Sequence, residues 1–545
     1  MNQVIFGKEA KTKLLSGINK LNEAVSTTLG PGGRNVIYSD ENGDVRSTKD
    51  GVTVAKMIKQ VEDPVENMGI QLLKQASIRT ANAAGDGTTT ATLLATELIN
   101  GGFQAIQSDA NSVSVKRGID KAIEQVIDYI KDISVEISSP EQLEQVATIS
   151  ANGDVEVGKI ISLAMEKVGR EGVVTIEESK TGETYLETVE GMQFDRGYKS
   201  PYFVNNNNNM TCNLENPYVL LYDKKIVQIK ELLPILDFAS KQDRSILIVA
   251  EDIEHEALAT LLVNKMRGIL KVCAVKAPDF GDRRLAILQD IAVLTNGVVV
   301  SPDKGMKLEK FLPEWLGECK TANVSKNETT IVDGSGTEEN IIKRVEEIKT
   351  QIDKSESLYE KEQLQNRLAK MAGGVAIIYV GAHTEIELKE KKDRVDDALH
   401  ATKAAVEEGI IPGGGTALLR ASRELTFDKK NRNKDEYVGF QIVRRTLVKP
   451  FVNILNNIGL DTTDEVYQDK VLKGKDSWFG FNPKTNKYGN MLEFGILDPV
   501  KVTRCALENA ASIAATILLT DGVIYTEPKG EDTQVENANP FGGMM

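Results

Sequence analysis

Ala84-Gly85-Asp86-Gly87-Thr88-Thr89-Thr90-Ala91-Thr92 is the stretch around which the chain is organised, and the apolar run 93–99 follows it directly. Glycines let the backbone turn tightly and approach a ligand closely, and threonine favours the start of a helix over its interior. A helix that begins here would offer its N–H groups and the positive end of its dipole to a phosphate. A carboxylate beside phosphates would be repelled unless a divalent cation lay between them, so we interpret Asp86 as a Mg²⁺ ligand in a nucleotide site. An ordinary capped loop between two helices is the alternative interpretation.

The composition limits the class of protein. A chain of 545 residues is too long for one hydrophobic core, so several domains are expected, and the 41% of hydrophobic residues can supply their cores. The net charge of −14 argues against nucleic acid or an anionic membrane as a partner. The first residues lack the basic and apolar regions of a signal peptide, and no uncharged apolar run is long enough to cross a bilayer. We therefore expect a cytoplasmic protein with no membrane partner.

Cysteine and histidine usage argues against two classes of site. The cysteines are scattered without a Cys-x-x-Cys pair, which predicts buried free thiols in a reducing compartment for Cys212, Cys273, Cys319 and Cys505. His255-Glu256 begins like a zinc-protease helix, but Ala259 stands where the second histidine is needed, so a zinc site is rejected. No Walker A loop occurs, and the predicted nucleotide site must therefore be of another kind.

Apolar periodicity divides the chain into helical ends and a mixed middle. A helix over 8–28 is followed by the Gly/Pro turn at 28–33 and by a hairpin over 35–47. From about 173 to 300, short β-branched runs alternate with helical segments, which predicts an α/β domain. Further predictions are helices at 64–83, 338–371, 393–408 and 499–520, a strand at 375–380, a hairpin within 470–490 and an exposed asparagine loop at 205–209.

The two helical ends could form one discontinuous domain, with the α/β domain inserted between them. The glycine loops at 30–33, 85–87 and 413–415 would then meet around one nucleotide. Close by in sequence, Lys49 could neutralise phosphate and Asp50 could polarise water, although a solvated turn would explain the same two residues. The sequence permits this arrangement without requiring it.

Several strings of the sequence resemble the group I chaperonins, the GroEL type. They are Thr28-Leu29-Gly30-Pro31, Lys49-Asp50-Gly51-Val52-Thr53-Val54-Ala55, residues 84–92, 191–198, 276–284 and 395–408, Gly413-Gly414-Gly415, and Tyr488-Gly489-Asn490-Met491. The similarity runs in order along essentially the whole chain, with only small insertions. A chance match over this length is not credible.

The resemblance implies a multidomain fold of the α and α/β classes. A mainly helical equatorial ATPase domain would comprise residues 1–132 and 408–526, and a small α/β intermediate domain would comprise residues 133–189 and 376–407. Residues 190–375 would form an α/β apical domain. Residues 527–545 would be a disordered tail, and its Gly-Gly-Met ending is shorter than in many relatives.

The resemblance also implies a Mg²⁺-ATP site with ATPase activity. Asp86 would hold Mg²⁺, Asp50 and Asp397 would position or activate the attacking water, and K⁺ is a candidate second ion. Nucleotide contacts would come from Thr28, Leu29, Gly30, Pro31, Lys49, Asp86, Gly87, Thr88, Thr89, Thr90, Gly414, Asn482, Pro483, Lys484 and Asp498. The segment 470–487 is longer than usual, and Pro483 and Lys484 stand where relatives carry small residues near the adenine.

For the apical domain, the resemblance implies a groove that binds non-native polypeptides and, in turn, a co-chaperonin of the GroES type. The matching residues are Tyr198, Tyr202, Phe203, Leu233, Leu236, Leu258, Leu262 and Val263. Leucines at helical spacing usually mark a core, whereas the resemblance implies that one stripe stays exposed. Mg²⁺-ATP would drive a rearrangement that encloses the client in homo-oligomeric, seven-membered rings, single or paired.

Two other functions stay open on the sequence. A divergent homologue could bind unfolded protein without productive folding cycles. An ATP-dependent metabolic enzyme could use the same nucleotide site, and it would be a monomer or dimer with a pocket for a small acceptor molecule. No residue set for such an acceptor pocket is evident in the sequence.

Overall fold

The computed structural model describes residues 2–39, 43–169, 172–179, 181–189, 191–207, 209–355, 357–372, 374–428, 433–463 and 465–526. The chain separates into two compact units. The first unit combines the residues up to Lys159 with those from Asp393 onward, and the second is the continuous segment Ile160–Lys392. The segments predicted to form an intermediate domain are divided between these units, so the three-domain division stays a prediction. The predicted tail at 527–545 lies outside the described residues.

Helices dominate the first unit, and the second unit combines helices with sheets. The helices are α1 Gly7–Ser26, α2 Gly51–Met57, α3 Pro64–Ala84, α4 Thr88–Gln107, α5 Ser112–Asp132, α6 Pro140–Ser150, α7 Val155–Val168, α8 Leu233–Lys241, α9 His255–Met266, α10 Gly281–Thr295, α11 Glu338–Lys354, α12 Leu358–Ala372, α13 Glu385–Glu408, α14 Thr416–Glu424, α15 Lys434–Thr446, α16 Lys449–Asn457, α17 Val466–Lys473 and α18 Val500–Leu519. The predicted fold class, a multidomain α and α/β protein, is confirmed.

The strands form several small sheets and one large one. They are β1 Asn2–Phe6, β2 Val36–Ser39, β3 Val45–Thr48, β4 Val173–Glu178, β5 Tyr185–Val189, β6 Gly191–Phe194, β7 Cys212–Glu215, β8 Tyr218–Ile226, β9 Ile246–Ile253, β10 Val272–Lys276, β11 Val299–Val300, β12 Gly317–Val324, β13 Thr329–Gly334, β14 Val375–Val380, β15 Ile410–Pro412, β16 Phe479–Asn482, β17 Lys487–Asn490, β18 Leu497–Pro499 and β19 Gly522–Thr526. The predicted hairpins are β2–β3 and β16–β17.

Long amphipathic helices hold the first unit together. Pro64 opens α3, and the Asp63 carboxylate caps it by accepting a hydrogen bond from Val65 N at 2.8 Å. On α1 the buried side chains recur every three or four residues, which is the period of a helix with one face in the core. These buried residues are Ala10, Leu14, Ile18, Leu21 and Val25.

The last helix, α18, packs against α3, α4 and α5 in the core of the first unit. Of the helices that the described residues form, it is the one whose length and hydropathy would also suit a membrane span. Most of its residues are buried against other helices, and Lys501, Arg504 and Glu508 interrupt its apolar sequence. A core helix accounts for these observations.

The first unit contains two short antiparallel strand pairs. One pair joins its N-terminal and C-terminal parts, and the other fixes a loop. β1 pairs with β19, so residues at the two ends of the described chain are hydrogen-bonded to each other. β15 pairs with β18 in the register Ile411↔Asp498. This second pairing brings Asp498 to the glycine loop that follows β15.

The second unit contains an eight-stranded sheet in the order β10-β9-β8-β12-β13-β6, with β11 on β8 and β7 on β12. β8, β9 and β10 run parallel and are connected through α8 and α9, whereas β12, β13 and β6 pair antiparallel. The strands β4, β14 and β5 form a separate sheet. The α/β character predicted for the middle of the chain is confirmed.

Two buried ion pairs that share Asp290 attach α11 and α12 to α10. The side chain of Asp290 is fully buried, and it accepts hydrogen bonds from Arg344 Nε at 2.8 Å and Arg367 Nε at 2.9 Å. Each of the three residues lies on a different helix. The Asp290 carboxylate therefore links α10 to both α11 and α12. The outer face of this pair of helices is strongly charged.

The cysteines are free and buried, as predicted. Cys212, Cys273 and Cys319 lie in the second unit, and Cys505 lies on α18. Thiols that are buried in this way act mainly as small apolar side chains.

Candidate functional site

The loop between α3 and α4 has a backbone that glycine favours. Gly85 ends α3 with φ of +74°, and Gly87 precedes α4 with φ of +82°. A Cβ atom would lie 2.1 Å from His400 Cβ if added to Gly85, and 2.7 Å from a methyl group of Val502 if added to Gly87. Both positions therefore combine a left-handed backbone with no room for a side chain.

The start of α4 is arranged to receive an anion. Gly87 caps this helix without a side chain, and its carbonyl accepts the hydrogen bond from Ala91 N at 2.9 Å. Gly87, as the N-cap residue, offers no side chain to the N–H groups of the first turn, on Thr88, Thr89 and Thr90. The positive end of the dipole of a helix that runs to Gln107 adds to their attraction for phosphate.

The Gly/Pro turn after α1 lies against this helix start. Thr28 is buried, and its Oγ1 is 3.4 Å from Thr89 Oγ1. The turn closes with a hydrogen bond from Gly33 N to Gly30 O at 3.0 Å, and Asn457 Nδ2 donates to Leu29 O at 2.9 Å. The structure thus brings residues 28–33 to residues 88–90, as the nucleotide hypothesis requires.

Asp50 lies at the start of α2, beside the same threonines. Its two carboxylate oxygens accept hydrogen bonds from Val52 N at 3.0 Å and Thr53 N at 2.7 Å, so the side chain caps α2 and is held in one orientation. A Cβ atom on Gly51 would lie 2.1 Å from Thr89 Oγ1. Asp50 therefore lies where α2 and α4 meet, directly after Lys49 in the chain.

The third glycine loop packs against Asp498, since a Cβ atom added to Gly413 would lie 2.8 Å from Asp498 Oδ1. The backbone N–H groups of Gly414 and Gly415 are close enough to the Asp498 carboxylate to favour its ionised form. Burial and repulsion by Asp86 nevertheless raise the pKa of Asp498 to about 7. A carboxyl that is disfavoured as an anion in this way is more stable as an anion when a cation lies close to it.

Asp86 itself is held by two donors. Its carboxylate accepts hydrogen bonds from Gly87 N and, at 3.0 Å, from Ser150 Oγ at the end of α6. Burial raises the pKa of Asp86 in spite of these donors, and the negative charge of Asp50 adds to the effect. Ser150 was not among the predicted site residues, because a serine in a sequence carries no sign of the carboxylate that it contacts.

Asp397 joins the group from α13. Burial raises its pKa well above the usual range, and the negative charges of Asp86 and Asp50 raise it further. His400, one turn along the same helix, packs against Gly85 and is close enough to favour the ionised form of Asp86. The structure thus brings together the four predicted acidic residues, Asp50, Asp86, Asp397 and Asp498.

This group of carboxylates is not a complete metal site by itself. Among the described residues, no three His, Cys, Asp or Glu side chains are placed to hold one metal ion. Mg²⁺ is commonly held by one or two carboxylates, with phosphate oxygens and water as the other ligands. The arrangement fits a cation that arrives together with a phosphate ligand, with Asp86 as its protein ligand.

The hairpin β16–β17 lies beside the same region. Asn482 Oδ1 accepts hydrogen bonds from Lys484 N at 3.0 Å and Thr485 N at 3.3 Å, which shapes the turn. Lys484 Nζ is 3.1 Å from where a Cβ atom on Gly153 would lie, just beyond Ser150. Pro483 is half-buried in this turn. The three predicted residues of the hairpin are thus close to the end of α6.

The predicted polypeptide-binding residues of the second unit divide into three groups by exposure. Tyr202, Leu233 and Val263 are exposed, whereas Tyr198, Leu258 and Leu262 are partly buried against the core. Phe203 and Leu236 are 0% and 6% exposed, so in this structure they belong to the hydrophobic core and not to a client-binding surface. The spacing of these residues in the sequence could not distinguish the three groups.

Two exposed apolar residues extend this surface and were missed. Met266, the last residue of α9, and Ile269, shortly after it, are 60% and 57% exposed. Lys265 Nζ donates to Tyr202 O at 2.9 Å and to Val204 O at 2.7 Å, which fastens the segment around Tyr202 to α9. The sequence did contain a sign of this extension, because the apolar pattern of Leu262 and Val263 continues at Met266 and Ile269.

Comparison with known proteins shows a similarity to one protein family and to solved structures. The family model described as the TCP-1/cpn60 chaperonin family matches residues 21–528. Among solved structures, the fold is similar to that of the chaperonin gp146 from the bacteriophage EL 2 (Pseudomonas aeruginosa), determined in the presence of ATP-BeFx. The TM-score is 0.70 at 23% sequence identity, and the match covers 96% of this chain and 99% of that one. At this identity, the second match bears on the fold alone.

Proposed function

The chain belongs to the TCP-1/cpn60 chaperonin family, and from this premise we propose that it is an ATP-dependent chaperone that binds non-native polypeptides and encloses them for folding. Family membership supports the general chaperone function. The proposal adds Mg²⁺-ATP hydrolysis, capture of clients on the second unit, and assembly into rings. A cytoplasmic location is part of the proposal, and the free buried cysteines support it.

The acidic cluster beside the start of α4 is the single observation that carries the nucleotide part of the proposal. Burial and mutual repulsion raise the pKa values of Asp86, Asp397 and Asp498. Such a cluster destabilises the unliganded protein, and a bound cation would relieve the repulsion. The same cluster adjoins backbone N–H groups suited to phosphate, which favours a magnesium–nucleotide complex over a bare metal ion.

Each element of the cluster would have its own role towards Mg²⁺-ATP. Asp86 would hold Mg²⁺, which when bound neutralises phosphate charge, and Lys49 would add a second positive charge. The turn at 28–33, the first turn of α4 and the loop at Gly414 would surround the nucleotide, and K⁺ remains a candidate second ion. Asp397 and Asp50 would orient and deprotonate the attacking water.

Asp397 is the residue through which hydrolysis would depend on conformation. It lies on α13, which begins at Glu385 and continues to Glu408 in the first unit. A rigid helix moves its side chains together, so a movement of α13 would bring the carboxylate to the nucleotide or withdraw it. Nucleotide can favour one arrangement only if it makes stronger contacts there.

The exposed apolar residues of the second unit support client binding. Tyr202, Leu233, Val263, Met266 and Ile269 are exposed, although solvent contact is unfavourable for each of them. Apolar side chains presented in this way bind other apolar chains with little sequence preference. We propose that non-native polypeptides bind here and that a co-chaperonin of the GroES type displaces them from the same residues.

Exposed strands of the first unit support ring assembly. Ile37 and Val45, on the hairpin β2–β3, are 72% and 74% exposed. Phe6 on β1 and Ile524 on β19 are 67% and 64% exposed. Two-stranded ribbons with apolar, solvent-facing residues are suited to pairing with another chain. We propose that neighbouring subunits cover these strands in homo-oligomeric, seven-membered rings, single or paired.

The test combines assembly, turnover and capture in one preparation. Native mass spectrometry should show a ring, Mg²⁺-dependent ATP hydrolysis should be measurable, and a chemically denatured client should bind and be released by ATP. Asp86→Asn should weaken Mg²⁺-dependent nucleotide binding about 10-fold or more, because it removes the charge that holds the cation. The control is Asp109→Asn, at an exposed position whose φ of 66° asparagine tolerates.

Each alternative function has a distinct outcome. A species near the subunit mass that turns over ATP would favour a metabolic enzyme. Rings that bind clients without ATP turnover would favour a scaffold that does not cycle. Nucleotide binding by Asp86→Asn equal to that of Asp109→Asn would contradict the assigned Mg²⁺ site.

A further inference from the structure

Lys74, on α3, is a buried lysine that the proposed nucleotide site does not use. It is 6% exposed, and none of the ion pairs among the described residues involves it. Burial lowers the pKa of its amine. An apolar side chain would fill this position without the free-energy cost of burying an amine. The groups that the amine contacts should therefore explain why a lysine is present.

The amine contacts the end of α2. Lys74 Nζ donates a hydrogen bond to the carbonyl oxygen of Ile58, the residue that caps α2 at its C-terminal end. From the preceding turn of α3, Gln71 Nε2 donates to Lys59 O at 3.2 Å. A positive charge or a donor at the C-terminal end of a helix interacts favourably with its carbonyl groups. Two side chains of α3 thus hold the C-terminal end of α2, the helix that precedes it in the chain.

The other end of α2 carries Asp50. The helix Gly51–Met57 is only about 10 Å long, and Asp50 caps its first turn with both carboxylate oxygens. Gly51 lies against Thr89, with no room for a Cβ atom. A displacement at the Ile58 end would therefore be transmitted through a short rigid helix to the Asp50 carboxylate.

We propose that Lys74 is a positioning residue for ATP hydrolysis, which acts through α2 on Asp50. This inference rests on the proposed ATPase function. Lys74 fixes α2 along its axis, and α2 in turn fixes the carboxylate that orients water. A displacement of about 1 Å in such a group is sufficient to slow a reaction strongly while leaving nucleotide binding intact.

The first test replaces Lys74 by methionine, which has a similar volume and no donor. Lys74→Met should lower kcat for ATP about 10-fold and change the nucleotide Kd less than about 3-fold. In an Asp50→Asn background, the same substitution should cause no further loss, because its effect passes through Asp50. Lys74→Gln, which keeps a donor, should restore most of the activity.

The outcomes separate this inference from the proposed function. Wild-type protein without ATP turnover would contradict the ATPase itself. Wild-type turnover with an unaffected Lys74→Met, or equal losses with and without Asp50, would overturn the role of Lys74 alone. A purely structural defect would reduce activity in both backgrounds and would not respond to a retained donor.

A substitution at an exposed position tests the same inference if Lys74→Met does not fold. Gln71 is exposed, so Gln71→Ala removes the second donor without opening the core. It should lower kcat about 2- to 3-fold with unchanged nucleotide Kd, and it should have no effect in the Asp50→Asn background. The matched control is Gln75→Ala, at an exposed position one turn along α3. Equal kcat values for Gln71→Ala and Gln75→Ala would contradict the proposal.

Discussion

The raised pKa of Asp498 predicts that its carboxyl lowers the stability of the protein at neutral pH and above. In the folded state its carboxyl has a pKa of about 7, against a usual value of 3.8, because of burial and the charge of Asp86. The folded chain therefore holds this proton over a pH range in which the unfolded chain has lost it. The free energy of unfolding therefore decreases as pH rises from about 3.8 to about 7. Above pH 7 the whole of this loss of stability is present.

The structure sets an upper limit to this cost. The difference between 3.8 and about 7, at about 1.4 kcal/mol per pH unit, corresponds to roughly 4 kcal/mol. Local water and protonation of Asp86 reduce this value, so about 1–3 kcal/mol is expected. Asp498→Asn keeps an oxygen for the N–H groups of Gly414 and Gly415 and removes the charge. The variant should therefore be more stable than wild type without nucleotide, and more so at pH 8 than at pH 5.

Thermal unfolding of the nucleotide-free protein at the two pH values measures this effect. At pH 8 the Tm of Asp498→Asn should exceed that of wild type by at least about 2 °C, and the difference should shrink at pH 5. Asp109→Asn, at an exposed position, should match wild type at both pH values. A Tm difference for Asp498→Asn that is independent of pH, or a lower Tm at pH 8, would refute the reasoning.

Three further predictions concern other parts of the chain. Asp397→Ala should bind ATP but hydrolyse it about 100-fold more slowly, while the exposed Asp396→Ala keeps its turnover; equal rates in a phosphate-release assay would remove Asp397 from catalysis. Leu233→Ser should weaken capture of a denatured client with ATPase retained, whereas Leu236→Ser should lower the Tm, because Leu236 is buried; the reverse pattern in pull-down and melting experiments would contradict the surface assignment. Asp290→Ala should destabilise the second unit by about 3–5 kcal/mol in urea unfolding, because two arginines lose their buried partner, and a change below about 1 kcal/mol would count against it.

Local features of the fold were predictable from the sequence for a physical reason. The start of α4 follows from Gly85 and Gly87, because each adopts a positive φ beside a run of threonines. Pro64 and Asp63 predict the start of α3 in the same way. The strands β12 and β13 were missed because their sequences contain few large apolar residues. Thr329 and Thr330 of β13 are buried although they are polar.

The candidate site was predictable only in part. The motif around Asp86 indicated a Mg²⁺ ligand, and the turn at Lys49-Asp50 indicated a possible partner for phosphate and water. Asp397 was identified only from the resemblance, because an isolated acidic residue on a helix face is usually solvated. Ser150 and Lys74 carried no signal at all in the sequence. Both act through groups far away in the chain, so their roles depend on contacts that no local pattern records.

The sequence by itself determined the helical ends, the α/β middle, the glycine-rich approach to phosphate and the family. Short-range physics governs these features, since backbone conformation and the period of apolar residues depend on neighbours a few positions apart. Only the tertiary structure decided that Leu233 is exposed while Leu236 is buried, and that four separate carboxylates lie together in one partly buried cluster. Burial and charge repulsion depend on distance in space, and in a chain with both ends in one unit, distance in sequence does not predict it.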